Sequence, residues 1–489
     1  MRKSYAIILL CLLAAACQQQ FVPGSPTAGH PSNIGKTVFY SADDEPLTFL
    51  PSVDSSAWTA LRSLDERFDA CSVPDDLLRR MTTDALVGSA VNYPLNYLIL
   101  FNAPESAIEM IFENSPLHRE LASRQDAPAE LAELFSESDY GFDIKTDLDD
   151  RQLSYTDEMF LEYLISSDRI AGRADAAAKD LLRDAVSEKA LQRLSEPDRY
   201  SIASVEPLIA IDKSAGLMLL EVEDADTPRI GTNAIVTVGT TTLQTPFGKT
   251  IQAKINQELT VGEMNDIFNS AVSNYPDAIV KGPATAYYNS HSYVWYDSSL
   301  NNNIWIDAYN GTTLQLSNYW TQDVYTSCPE NDATHVFYNN YDHIRNIDNT
   351  YSAIIQPNGK YLSKWGAGPL MEHDKADCPY MTDDIQFFHF ITSYHINLLA
   401  INGDASVGIN EYNTYYLTPR LPLIDFEWEV RYMDAEEPKP YEFIEDSNGA
   451  KIQYRLLCKD YGLFKINVYG RYQGHTVLFA QMNVVATPQ

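Results

Sequence analysis

The apolar residues change their period along the chain. Between Trp58 and Pro197 they recur at helical spacing, and after Tyr412 they alternate with polar residues. One repetitive or single-class domain cannot produce both patterns. The sequence predicts a multidomain α+β protein, with helices first and a sheet last. At roughly 150 residues per domain, 489 residues suggest three domains.

In the first region Trp58, Leu61, Leu64 and Phe68 lie on one helical face. Pro74 opens a further helix with Leu77, Leu78 and Met81, and Thr82 or Thr83 caps the next, around Leu86 and Val87. Ile108, Ile111 and Phe112 mark another. Ser154 to Leu194 reads as two more, with Asp157 and Glu158 in a first turn, where the helix dipole favours them. His118 reads as structural. The middle region opens with a strand at Ala234 to Val238, a turn at Pro246-Phe247-Gly248, and a helix from Thr260 to Ser273. Glu263, three residues after Thr260, makes a capping box. In the last region Phe426, Trp428, Val430 and Tyr432 alternate with Glu427, Glu429 and Arg431. Two similar runs follow, at Ile452 to Cys458 and Phe464 to Val468, and Asn448-Gly449 marks a turn. This predicts an antiparallel β-sandwich of immunoglobulin-like size.

The N-terminus reads as an export signal. Arg2 and Lys3 precede an apolar run from Tyr5 to Ala16, shorter than the about 20 residues of a spanning helix. Leu13-Ala14-Ala15-Ala16-Cys17 resembles a bacterial lipobox, with Ala14 where Leu is usual. That resemblance implies lipidation at Cys17 and anchoring to the envelope, expected at the outer membrane, and the polar stretch Gln18 to Asn33, with its Pro and Gly, suits a flexible tether in 17–35. Plain cleavage after Ala16 and secretion is the alternative. The balance of 35 Lys+Arg against 67 Asp+Glu, a formal charge of −32, speaks against nucleic acid and against a polybasic grip on anionic lipid. Cys71, Cys328, Cys378 and Cys458 show no Cys-x-x-Cys and no His at ligand spacing, so no metal and no cofactor is expected. A Cys328–Cys378 disulfide and buried free thiols both remain open.

The middle region also carries an ordered series of motifs. Asn289-Ser290-His291-Ser292-Tyr293-Val294-Trp295 is followed by Tyr351-Ser352-Ala353-Ile354-Ile355. Ser363-Lys364-Trp365-Gly366, Gly368-Pro369-Leu370, His373 and Cys378-Pro379-Tyr380 complete it. The series resembles a group of bacterial exported proteins with Asn-Cys-His-Ser-Tyr-Ala-Trp, a distant branch of the NlpC-type papain-like amidases and endopeptidases. The resemblance covers about Leu243 to Tyr380 and implies a papain-like α+β domain. There a Cys begins a helix whose dipole stabilises its thiolate, and a His begins a strand of the sheet packed on it. The divisions implied are a signal peptide (1–16), tether (17–35), α-helical domain (36–200), papain-like domain (201–402) and immunoglobulin-like sandwich (403–489).

The sequence departs from that pattern at its chemistry. Ser290 stands in the Cys position and Tyr351 in the His position, so Cys at 290 with His at 351 is the pair that would rebuild the site. His343 is the other candidate base. His291 is a poor base for its neighbour Ser290, because adjacent helical residues do not share a face. Asn289, His291, Tyr293, Trp295, Lys364, Trp365 and His373 are the residues expected to line a groove, with core packing the simpler reading of the tryptophans. The expected function is a non-catalytic binding or scaffolding lipoprotein of the cell surface, meeting peptidoglycan stem peptides or surface peptides. One alternative is an active hydrolase using Ser290 with His343. Another is an adhesion or assembly protein acting through the C-terminal sandwich.

Overall fold

The structure is a computed structural model. It describes residues 37–140, 152–219, 235–321, 324–345, 347–380, 384–390, 399–418, 425–433, 440–445, 453–472 and 475–488, with the short pieces 32–33, 230–231 and 382. The signal segment, Cys17, Ala234, Asn448-Gly449 and Ile452 lie outside the described residues.

The architecture is α+β. Helices fill the first part of the chain. The face predicted from Trp58 to Phe68 is split between Ser55–Thr59 and α1 (Leu64–Ala70). The break is local: Ser63 caps α1, and Glu66 folds back onto the backbone N–H groups of Arg62 and Ser63. Further on come α2 (Thr83–Val91), capped by Thr82, α3 (Ala127–Glu137) and α4 (Tyr155–Ser166), capped by Ser154. The series continues with α5 (Ala176–Ser195) and α6 (Glu206–Ala215). Buried charges tie α5 to α4: Lys189 to Glu158 at 2.8 Å and Arg193 to Glu162 at 2.6 Å. α7 (Val261–Asn274) starts at the predicted capping box, with Thr260 and Glu263 bonded reciprocally.

Seven strands form the central sheet: β1 (Ile279–Gly282), β2 (Tyr325–Ser327), β3 (His335–Tyr338), β4 (Tyr351–Ile355), β5 (Tyr361–Lys364), β6 (Leu370–His373) and β7 (Ile385–Phe390). Their order is β2-β7-β3-β4-β5-β6-β1, and each pair is antiparallel. Successive side chains point to opposite faces, so the sheet divides two cores. Tyr338, Tyr351, Ala353, Tyr361 and Met371 join the core of the helices. Phe337, Leu370, Phe388 and Phe390 join a second core with Trp295, which continues into the C-terminal strands. Gly366 sits at φ +54°, where a Cβ would press on the Phe101 carbonyl oxygen at 3.3 Å. This is how the turn after β5 docks on the helices.

The last strands are β8 (Ala400–Asn402), β9 (Ser406–Gly408), β10 (Tyr412–Thr418), β11 (Asp425–Tyr432), β12 (Tyr441–Glu445), β13 (Gln453–Cys458), β14 (Gly462–Tyr472) and β15 (His475–Thr487). They make two four-stranded sheets, β8-β10-β13-β12 and β9-β15-β14-β11. The predicted alternation holds, with Phe426, Trp428, Val430, Phe464, Ile466 and Val468 all buried. One pair corrects the antiparallel expectation: β9 runs parallel to β15. The chain leaves β8 and crosses to the other sheet within a few residues, where β9 pairs along the edge of β15. The four cysteines Cys71, Cys328, Cys378 and Cys458 are free, which sets the Cys328–Cys378 disulfide aside. Among the described residues no helix is long and apolar enough to cross a membrane.

Candidate functional site

Asn289 organises the start of the motif. Its Oδ1 accepts from Ser292 N at 3.1 Å and Ile306 N at 3.3 Å, and its Nδ2 donates to Ile306 O at 2.7 Å. The regular helix expected after Ser290 is replaced by a π-type turn, Ser292–Tyr296, closed by Asp297 N on Ser292 O at 2.9 Å. One turn aligns few peptide dipoles, so a nucleophile at Ser290 lacks the field of a long helix.

Ser290 is 4% exposed, and its Oγ accepts the Ser352 backbone N–H at 3.2 Å. The neighbouring hydrogen bonds have a determined polarity. Trp295 Nε1 lies 2.8 Å from Ser352 Oγ, and an indole N–H can only donate. Thr350 spends its hydrogen on Asp348 and so accepts from His291 Nε2, which leaves Nδ1 to accept the Ser352 hydrogen, also at 2.8 Å. His291 then carries its proton on Nε2 and donates to Thr350 Oγ1 at 2.9 Å. Thr350 passes its hydrogen to the Asp348 carboxylate, which also accepts the Thr350 and Tyr309 backbone N–H groups. Burial pushes His291 down to about 3, against the opposing pull of Asp307. The imidazole is neutral, and both its nitrogens are occupied.

A second chain of bonds lies across the sheet. Ser363 Oγ accepts from Trp365 Nε1 at 3.1 Å and from the Tyr351 hydroxyl, and donates to His373 Nε2 at 2.8 Å. His373 Nδ1 then donates to the Asp374 carbonyl at 2.8 Å. Burial takes His373 down to about 4, opposed by Asp374. Tyr351 stacks on Tyr380 at 3.8 Å between ring centres.

In this arrangement Tyr351 is a packed, hydrogen-bonded core residue. Tyr351 and Ser352 are consecutive on β4, so they face opposite sides. The Ser352 hydroxyl meets His291 and Trp295, whereas Tyr351 enters the helical core.

His343 is exposed, with its ring 5.8 Å from that of Tyr309 and 4.8 Å from that of Tyr341. Among the described residues no hydrogen bond joins it to Ser290. Lys364 is fully buried, and its Nζ donates to Thr285 O at 2.9 Å and Gly366 O at 2.8 Å. Burial takes its ammonium down to about 7, and Glu258 opposes the fall. Tyr293 stacks on Tyr288, and Trp365 packs against Phe101 and Tyr275. The expected groove residues Asn289, His291, Tyr293, Trp295, Lys364, Trp365 and His373 are 7% exposed or less. They are held by buried neighbours, among them Ile306, Ser352 and Ser363.

Sequence reasoning missed Ser352, Thr350, Asp348 and Ser363. The signal was the period of two: the side chains of residues 351 and 352 enter opposite cores. Among the described residues no group of His, Cys, Asp and Glu side chains could hold a metal ion. No family model matches the chain, and no curated protein and no solved structure matches it.

Proposed function

We propose that the chain is an envelope-anchored, non-catalytic binding or scaffolding protein. Its middle region is a papain-like domain whose catalytic position has become part of the core. The carrying observation is the pairing of Ser290 and His291 with Ser352. The hydroxyl that replaces the thiol accepts a backbone N–H, and the nearest imidazole has no free nitrogen. A serine hydroxyl is a weak nucleophile without a base bonded to it. Here no such base is in place.

The motif order and the antiparallel sheet support the papain-like frame. In the last region β8-β10-β13-β12 corresponds to the A-B-E-D order of an immunoglobulin-like sandwich, and β15-β14-β11 to G-F-C. The lipobox-like Cys17 supports anchoring through lipid. Peptide partners, whether peptidoglycan stems or surface peptides, are met on surfaces other than the buried motif.

The test is an assay of the mature protein against muropeptides and acyl substrates, beside Ser290→Ala. No difference between the two is expected. Wild-type turnover lost in both Ser290→Ala and His343→Ala would make the protein a serine hydrolase.

A further inference from the structure

Glu206 opens α6, and its Oε2 is buried with no hydrogen-bond partner among the described residues. α6 packs on α4, and from α4 the Tyr163 hydroxyl faces the Glu206 carboxyl. That hydroxyl is also buried and closes no hydrogen bond among the described residues, on a residue only 3% exposed.

The groups facing Glu206 come from three elements. Tyr163 is on α4. Glu105, in the first turn of the helix Pro104–Asn114, adds a like charge. Lys254, on the strand Thr250–Asn256, is the cation that faces it, but its ammonium is held by Asp307 at 2.6 Å. Tyr163 in turn is faced by Glu206, Glu105, Tyr155 and Glu162, and Glu162 is bound to Arg193 at 2.6 Å. A carboxylate at 206 therefore has no counter-ion of its own and leaves one oxygen without a donor. The dipole of α6 favours an anion at its first turn, but desolvation of an unpaired ion is the larger effect. Burial first, and the charge of Glu105 second, hold the Glu206 carboxyl well above the usual carboxylate range. The neutral acid suits the place better, because its hydrogen can be given to the Tyr163 oxygen.

We propose that Glu206 is a pH-sensitive latch: as the neutral acid it holds α6 against α4, and its ionisation releases α6. In the released helix Glu206 meets water and behaves as a free glutamate, with a value of about 4.3. Release above that pH sheds one proton. The latch is complete below about pH 4.3 and weakens as pH rises toward the folded value, the opening constant growing about tenfold per pH step of one.

The test is native-state hydrogen exchange of the mature full chain at about pH 5, 6 and 7, corrected for intrinsic exchange, beside Glu206→Gln, which is neutral at every pH. Relative to this variant, protection of the α6 amides in the wild type is expected to fall about tenfold between pH 5 and pH 6. Glu105→Gln removes the like charge and is expected to raise α6 protection at pH 7 above that of the wild type. If Glu206→Gln fails to fold, Glu105→Gln decides. Three results would each overturn the proposal: the same pH dependence of α6 in wild type and Glu206→Gln, no gain of protection in Glu105→Gln, or α6 amides that exchange only together with those of β14 at every pH.

Discussion

Ser352 and Ser363 sit on neighbouring strands of one sheet and face opposite cores, yet they do the same work. Each hydroxyl accepts a tryptophan indole N–H and donates its own hydrogen to a buried histidine. The histidine on one side ends its chain at Asp348 through Thr350, and the one on the other side ends at the Asp374 carbonyl. The residues that looked like the remains of an active site are therefore the polar connections between two cores and their shared sheet.

Ser352→Ala removes an acceptor from Trp295 and a donor from His291 in a position with no solvent. The expected loss of stability is about 2–4 kcal/mol, since two buried polar groups are left unpaired. Urea unfolding measures it. A loss below about 0.5 kcal/mol would show that the bonds are not needed.

The buried histidines set an acid limit. In the folded chain burial holds His291 at about 3 and His373 at about 4, below the about 6.5 of an unfolded imidazole. The unfolded chain therefore binds the proton first. The stability each neutral histidine contributes is complete above about pH 6.5 and is lost as pH falls toward its folded value. His373→Asn removes one such group. Between about pH 6 and pH 5 the stability difference between wild type and variant is expected to shift by about 1.4 kcal/mol per pH step of one, against the wild type. Parallel stability curves would contradict this.

Ser290→Cys with Tyr351→His restores the residue types of the resembled family at two buried positions. No turnover is expected, because position 290 is buried and closed to a substrate. The double variant is also expected to lose about 2–4 kcal/mol, as the Tyr380 stack and the Ser363 bond disappear. Hydrolysis by this variant would mean that position 290 is open to a substrate.

Gly366→Ala tests the docking of the sheet on the helices. Its left-handed backbone disfavours a side chain by about 1–2 kcal/mol, and the Phe101 carbonyl leaves a Cβ little room. A lower thermal midpoint is expected, and an unchanged one would count against close approach.

Local signals were legible in the sequence. Thr260 with Glu263 specified where α7 begins, and the alternation around Trp428 specified the buried face of its strand. What depends on long-range pairing was not. The face taken by Tyr351 turns on a register of one residue, set by β3 and β5 rather than by β4 itself. The parallel contact of β9 with β15 joins residues some 80 positions apart, and no local pattern encodes it. Ser63 and Glu66 did carry a readable capping signal, which the apolar spacing from Trp58 to Phe68 overrode in the reading of the sequence.

The central claim is that the Ser290 position is closed. A thiol placed there reports on this without any choice of substrate. In a Cys328→Ser background, which removes the half-exposed native thiol, Ser290→Cys is to be treated with a thiol-specific reagent under native conditions. The account predicts labelling no faster than opening of the folded chain. Rapid native labelling, at the rate of an exposed cysteine, would contradict it and mark an open, reactive site.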